Sequence, residues 1–87
     1  MFVIMVYDIA EERVTKVLKI ARKYLNWVQN SVLEGELTRA QLERLKTELQ
    51  QVIDREVDSI IFYKLRTKSY YEREVVGIEK AAGENII

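Results

Sequence analysis

The chain contains no histidine and no cysteine. That removes imidazole acid–base chemistry, Ser-His-Asp triads and zinc sites of the usual kind. Its three glycines, Gly35, Gly77 and Gly83, are scattered, so there is no glycine-rich loop to cradle a phosphate. Carboxylate chemistry remains, most naturally with a hard divalent cation such as Mg2+, or Mn2+ in its place.

Asp8 is the best single candidate for that chemistry. It stands in Val6-Tyr7-Asp8-Ile9, at the end of an apolar run and just before a helical pattern. Two readings compete. Aspartate is a favoured N-cap, and Asp8-x-x-Glu11 matches a capping box. Alternatively, a carboxylate at the end of a strand is free to serve as a catalytic group and metal ligand.

The second candidate is a cluster of cations. Between Arg13 and Leu33 there are five basic residues, Arg13, Lys16, Lys19, Arg22 and Lys23, and no acid. Lys16, Lys19 and Lys23, with Arg22 beside them, fall opposite the apolar stripe of one helix. An ordinary solvated helix face would look much the same. With no acid in that stretch for i,i+4 pairing, however, a phosphate backbone would meet unpaired charge. A further basic run, Lys64, Arg66, Lys68 and Arg73, interleaves with Tyr70 and Tyr71, rings that could stack on bases or simply pack at an edge.

The elements that must position these groups follow from periodicity. Phe2 to Tyr7 is apolar at every position and reads as a strand buried on both faces. From Val14 the residues Val14, Val17, Leu18, Ala21 and Leu25 form one stripe of an amphipathic helix, with Asn26 ending it. Trp27–Gln29 and Val32–Leu37 predict two short strands joined at the turn pair Asn30-Ser31. Thr38-Arg-Ala-Gln41 fits a capping box that opens a helix with Leu42, Leu45, Leu49, Val52 and Ile53 on one side. Asp58–Leu65 predicts another doubly apolar strand, Thr67–Glu74 a polar loop, and Glu74–Glu79 a short fifth strand.

The order strand–helix–strand–strand–helix–strand is the ferredoxin-like βαββαβ pattern, an α+β sandwich with both helices on one face of the sheet. The first and last core strands are apolar on both faces, yet two helices cover only one. Of Val3, Met5, Tyr7 and Phe2, Ile4, Val6, one set needs other cover. The uncovered set would amount to several hundred Å² of apolar surface, more than soluble monomers usually show. A second copy packed sheet to sheet about a two-fold axis is the simplest cover, so the sequence predicts a homodimer. In such a dimer two copies of Asp8 would approach, and either a proton or a bridging cation would have to relieve their repulsion.

At 87 residues there is room for one domain, read here as residues 1–79 with a tail at 80–87. A chain this short buries only about 60–65% of its unfolded surface, which makes burial shared with a partner more valuable. Without cysteine there is no disulfide to help. The formal net charge is zero, so any attraction for nucleic acid must come from local patches. The apolar start, Met1 to Tyr7, is too short to cross a bilayer and lacks a basic leader, so the expectation is a cytoplasmic protein with no membrane partner.

Three segments together carry a family resemblance: Tyr7-Asp8-Ile9, Trp27-Val-Gln-Asn-Ser-Val-Leu-Glu-Gly35, and Asp58-Ser-Ile-Ile-Phe-Tyr63. They resemble the Cas two family (Cas2), small CRISPR-associated proteins of the spacer-acquisition machinery, over nearly the whole chain. The hairpin residues Val28, Gln29, Ser31, Val32 and Glu34 are the most specific part. The resemblance implies a ferredoxin-like homodimer whose last strand, here Val75 to Ile78, reaches onto the partner's sheet. It also implies a metal-dependent endonuclease cutting RNA or DNA, with Asp8 of each protomer holding Mg2+. In spacer acquisition it implies a dimer that bridges two Cas one integrase dimers and supports duplex DNA on basic surfaces, with Arg13 and Lys16 at the family's basic positions. Two residues depart from the pattern: Trp27 stands where the family commonly has arginine, and Leu33 where it commonly has an aromatic.

An RNA-cleaving toxin of the VapD kind, similar in fold, is the alternative reading. An RRM-like RNA reader fits less well, because Val32–Leu37 lacks the aromatic pattern such a sheet needs. The missing cysteines exclude a metallochaperone of this fold.

Overall fold

A computed structural model describes residues 1–67 and 70–78. Along the chain run β1 (Phe2–Asp8), α1 (Glu11–Ala21), β2 (Asn26–Gln29), β3 (Val32–Glu36), α2 (Arg39–Gln50), β4 (Ser59–Thr67) and β5 (Tyr70–Gly77). The five strands form one sheet in the order β2-β3-β1-β4-β5, with every neighbouring pair antiparallel. Without β5 this is the ferredoxin-like order.

Both helices cover the same face. Val17, Ala21 and Leu25 from the first helical segment, and Leu42, Leu45, Leu49 and Ile53 from the second, share one core with Val3, Met5, Tyr7, Leu33, Ile60, Phe62 and Val76. Along β1 burial alternates strictly. Val3, Met5 and Tyr7 point into the core, while Phe2, Ile4 and Val6 are only half-buried on the far side. Val32, Tyr63, Leu65 and Val75, which continue that far side on β3, β4 and β5, are likewise half-buried. The apolar surplus read from the sequence is therefore real, and Phe2, Ile4 and Val6 are the set that the helices leave uncovered.

The expected capping box opens α2. Gln41 N–H donates to Thr38 Oγ1 at 3.1 Å, and Thr38 N–H donates back to Gln41 Oε1 at 2.9 Å. At the β2–β3 turn Asn30 takes a positive φ of 40°, which asparagine tolerates better than most residues.

Several expected boundaries are corrected. α1 begins at Glu11 rather than Val14, which adds Glu11 and Glu12 to its first turn. It ends at Ala21 rather than Asn26. Turn hydrogen bonds from Tyr24 and Leu25 N–H to the Ala21 carbonyl close it, and Leu25 still tucks into the core.

The larger correction concerns 67–74, expected as a loop. Residues 70–77 are an eight-residue strand paired along β4. Its polar residues are stabilised by charge pairing: Glu74 accepts from Lys46 at 2.8 Å and from Lys64 at 3.2 Å. At the end of this strand Val75, Val76 and Gly77 pair with Ile61, Ile60 and Ser59 of the same chain. Lys68, the rings of Tyr70 and Tyr71, and residues 80–87 lie outside what is described.

Candidate active site and nucleic-acid interface

Asp8 closes β1, opposite Ser59 of β4, and is exposed. One residue after core-facing Tyr7, it takes the parity of Phe2, Ile4 and Val6 and so belongs to the uncovered face. It does not cap α1, as the capping-box reading had it. The N-cap residue is Ala10, and no side chain of the N-cap is bonded to the helix.

The residue serving that helix end is Asp58, which sequence reasoning had placed only at the head of a strand. Its carboxylate is fully buried and accepts four hydrogen bonds: from Ala10 N–H at 2.9 Å, Asp54 N–H at 2.9 Å, Arg13 Nε at 2.6 Å and Arg13 Nη2 at 3.0 Å. The Arg13 guanidinium, helped by the two backbone donors, holds this carboxyl well below the usual carboxylate range, against the desolvation that would raise it. One sequence signal could have revealed it: a single acid directly before an otherwise apolar strand, with an arginine in the first turns of the preceding helix.

The five cations of the basic stretch separate into three groups. Arg13 is engaged by Asp58 and lies 3.6 Å from Glu12. Lys23 pairs with Glu48, which also accepts from the Tyr24 hydroxyl, so the Glu48 carboxyl is lowered by both. Lys16, Lys19 and Arg22 are exposed, and among the described residues no acid pairs with any of them. Arg22 instead lies over the Trp27 ring, 5.7 Å from its centroid.

At the hairpin tip the Asn30 carbonyl accepts from two rings, Tyr7 Oη at 3.1 Å and Trp27 Nε1 at 2.9 Å. The turn is thus fixed to the residue preceding Asp8.

Asp8 is an oxygen donor of the kind that Mg2+ and Mn2+ take. Among the described residues no group of three metal-ligating side chains occurs, so Asp8 belongs to no such ready-made cluster. The donor set fits a divalent ion only if a second Asp8, water and a substrate phosphate complete it.

Residues 1–73 match the profile of the family described as CRISPR associated protein Cas2. The chain belongs to the Cas2 family. It is 56% identical over 87 residues to the CRISPR-associated endoribonuclease Cas2 of Dictyoglomus turgidum, covering all of both chains. Against the Cas2 of the same description from Pyrococcus furiosus the figure is 54% over 87 residues, again covering all of both. A solved Cas2 structure superposes with a TM-score of 0.74 at 45% identity, covering 100% of this chain and 98% of that one. Streptococcus pyogenes Cas2 at pH 6.5 gives 0.69 at 39% identity, covering 75% and 86%. No helix among the described residues is long and apolar enough to cross a membrane.

Proposed function

We propose that the protein is a metal-dependent endonuclease and CRISPR adaptation subunit that acts in the cytoplasm as a sheet-to-sheet homodimer. One observation carries this reading. The exposed carboxylate of Asp8 has the strand parity of Phe2, Ile4 and Val6, the apolar face that the helices leave open. Covering that face with a second copy brings the matching carboxylate toward the same axis. Related Cas2 proteins named as endoribonucleases support RNA as the substrate to try first.

A divalent cation bound by the two carboxylates supplies activation of water and neutralisation of charge on the scissile phosphate. Each Asp8 contributes one anionic oxygen donor, fixed in direction by the β1–β4 ladder opposite Ser59. Lys16, Lys19 and Arg22 supply positive charge for the phosphate backbone. Arg13, tied to Asp58, acts by anchoring the start of α1. In spacer acquisition the same dimer spaces two Cas one integrase dimers and carries duplex DNA on its basic helix faces, a role that does not require hydrolysis.

Incubating nuclease-free protein with RNA and with duplex DNA tests the catalytic part. Cleavage is expected with Mg2+ or Mn2+, absent in EDTA, and absent in Asp8→Ala with dimerisation intact. RNA and DNA left uncut with both metals would end it. Salt-sensitive duplex binding that weakens in the Lys16→Glu, Lys19→Glu double variant, together with capture of the integrase, tests the scaffolding part.

A further inference from the structure

We infer that Trp27, backed by Arg22, is a stacking platform for an unpaired nucleobase. The inference deepens the proposed function by naming single-stranded nucleic acid as a ligand of this edge. Trp27 sits on β2, an edge strand whose four residues are all exposed. An indole that merely filled space would be buried, yet this one is 49% exposed. It is also held in place. Its Nε1–H donates to the Asn30 carbonyl, and Arg22 lies over the ring. A ring fixed before the ligand arrives loses little freedom on binding, which favours stacking.

The surroundings suit a polyanion. Arg22, which lies over the ring, also lines a shallow depression with Lys19, Val14, Thr15 and Leu18 along the first helical segment. Neither cation is paired with an acid among the described residues. An aromatic face beside unpaired cations is how single strands are bound without reading their sequence: the base stacks and its phosphates meet the charges. The Asn30 carbonyl that holds Trp27 also holds Tyr7, so the platform and Asp8 lie at the same end of the sheet.

Trp27 is the only tryptophan in the chain, so its emission reports directly on this position. The wild-type protein is titrated in EDTA, which prevents cutting, with a ten-nucleotide oligoadenylate and separately with tripolyphosphate, a polyanion without bases. Saturable quenching by the oligonucleotide but not by tripolyphosphate is expected. By anisotropy of a labelled oligonucleotide, Trp27→Leu should bind about tenfold more weakly, a typical loss for one stacked base. Trp27→Phe, which keeps a ring, should stay within about threefold of wild type on the same grounds. Because the position is exposed, far-UV circular dichroism should show both variants folded. Equal quenching by tripolyphosphate, no quenching at all, or unchanged affinity in Trp27→Leu would overturn the inference. Quenching by the oligonucleotide in wild-type protein that leaves RNA and DNA uncut with Mg2+ and Mn2+ would keep the platform and remove the nuclease reading. Cleavage without quenching would do the reverse.

Discussion

Arg13 and Asp58, separated by 45 positions in the chain, form a two-point ion pair in which the carboxylate is wholly enclosed and the guanidinium fork is mostly so. Through it, and through Ala10 N–H, the start of α1 is tied to the head of β4. Asp58 therefore performs the capping task for which Asp8 was the nearer candidate, and Asp8 remains at the end of β1 on the other face.

The first prediction concerns that pair. Asp58→Ala strips four donors of their acceptor at once and leaves a partly enclosed guanidinium without its counter-charge. Losses of this kind are on the order of 3 kcal/mol or more, a large part of the stability of a small domain. A urea unfolding series should show the midpoint fall accordingly. A loss below about 1 kcal/mol, the worth of one ordinary hydrogen bond, would mean that the pair is not formed in solution.

The same group sets the acid limit. A carboxyl held lower in the folded than in the unfolded chain stabilises the fold while ionised. Its contribution is complete above the unfolded value and is lost as pH falls toward the folded one. Asp58, Glu48 and Glu74 are all lowered, so they act in the same direction. Stability should therefore decline as pH drops below about 4, where unfolded carboxylates take up protons. In Asp58→Asn the decline should be shallower, measured as the unfolding midpoint between about pH 4 and pH 2.

Gly77 carries the third. It has φ +95°, and a Cβ built on it would stand 2.2 Å from the Asp58 carbonyl oxygen, which itself accepts from Ile78 N–H at 3.0 Å. Gly77→Ala must shift backbone and not merely a flexible side chain. A loss of about 1–3 kcal/mol is expected from strain of this sort. Hydrogen exchange should show the Ile78 amide losing protection ahead of the β1 amides.

The fourth tests the open face. Ile4 lies half-buried at its centre, opposite Glu34 on β3 and Tyr63 on β4. Ile4→Lys places a charge where the second copy is proposed to pack, with little effect on the core beneath. Sedimentation at micromolar concentration should show single chains, and metal-dependent cleavage should disappear together with the dimer. Dimers unchanged in Ile4→Lys would show that this face is not the interface.

Element types were largely legible in the sequence, because burial is periodic there. The stripe Val14, Val17, Leu18, Ala21, Leu25 and the box Thr38–Gln41 each report a local preference that the fold keeps. What was not legible depends on residues far apart. Residues 70–74 read as loop because they are polar, and the ion pair from Glu74 to Lys46 that helps hold their strand spans 28 positions. Arg13 read as a free cation because its partner comes 45 residues later. Asp8 stood out correctly as an acid at a strand end, but its face could be assigned only once Tyr7 was known to point inward.

The position of β1 has a consequence for synthesis. It precedes the other described strands in the chain, yet it lies between β3 and β4. A nascent chain that has already produced six apolar residues in a row must wait for Leu65, the partner of Phe2, before the second edge of that strand is closed. Until then one edge of that apolar strand stays open, as unpaired strand edges do in partly folded chains. Closing β1 is consequently a late step that waits on β4.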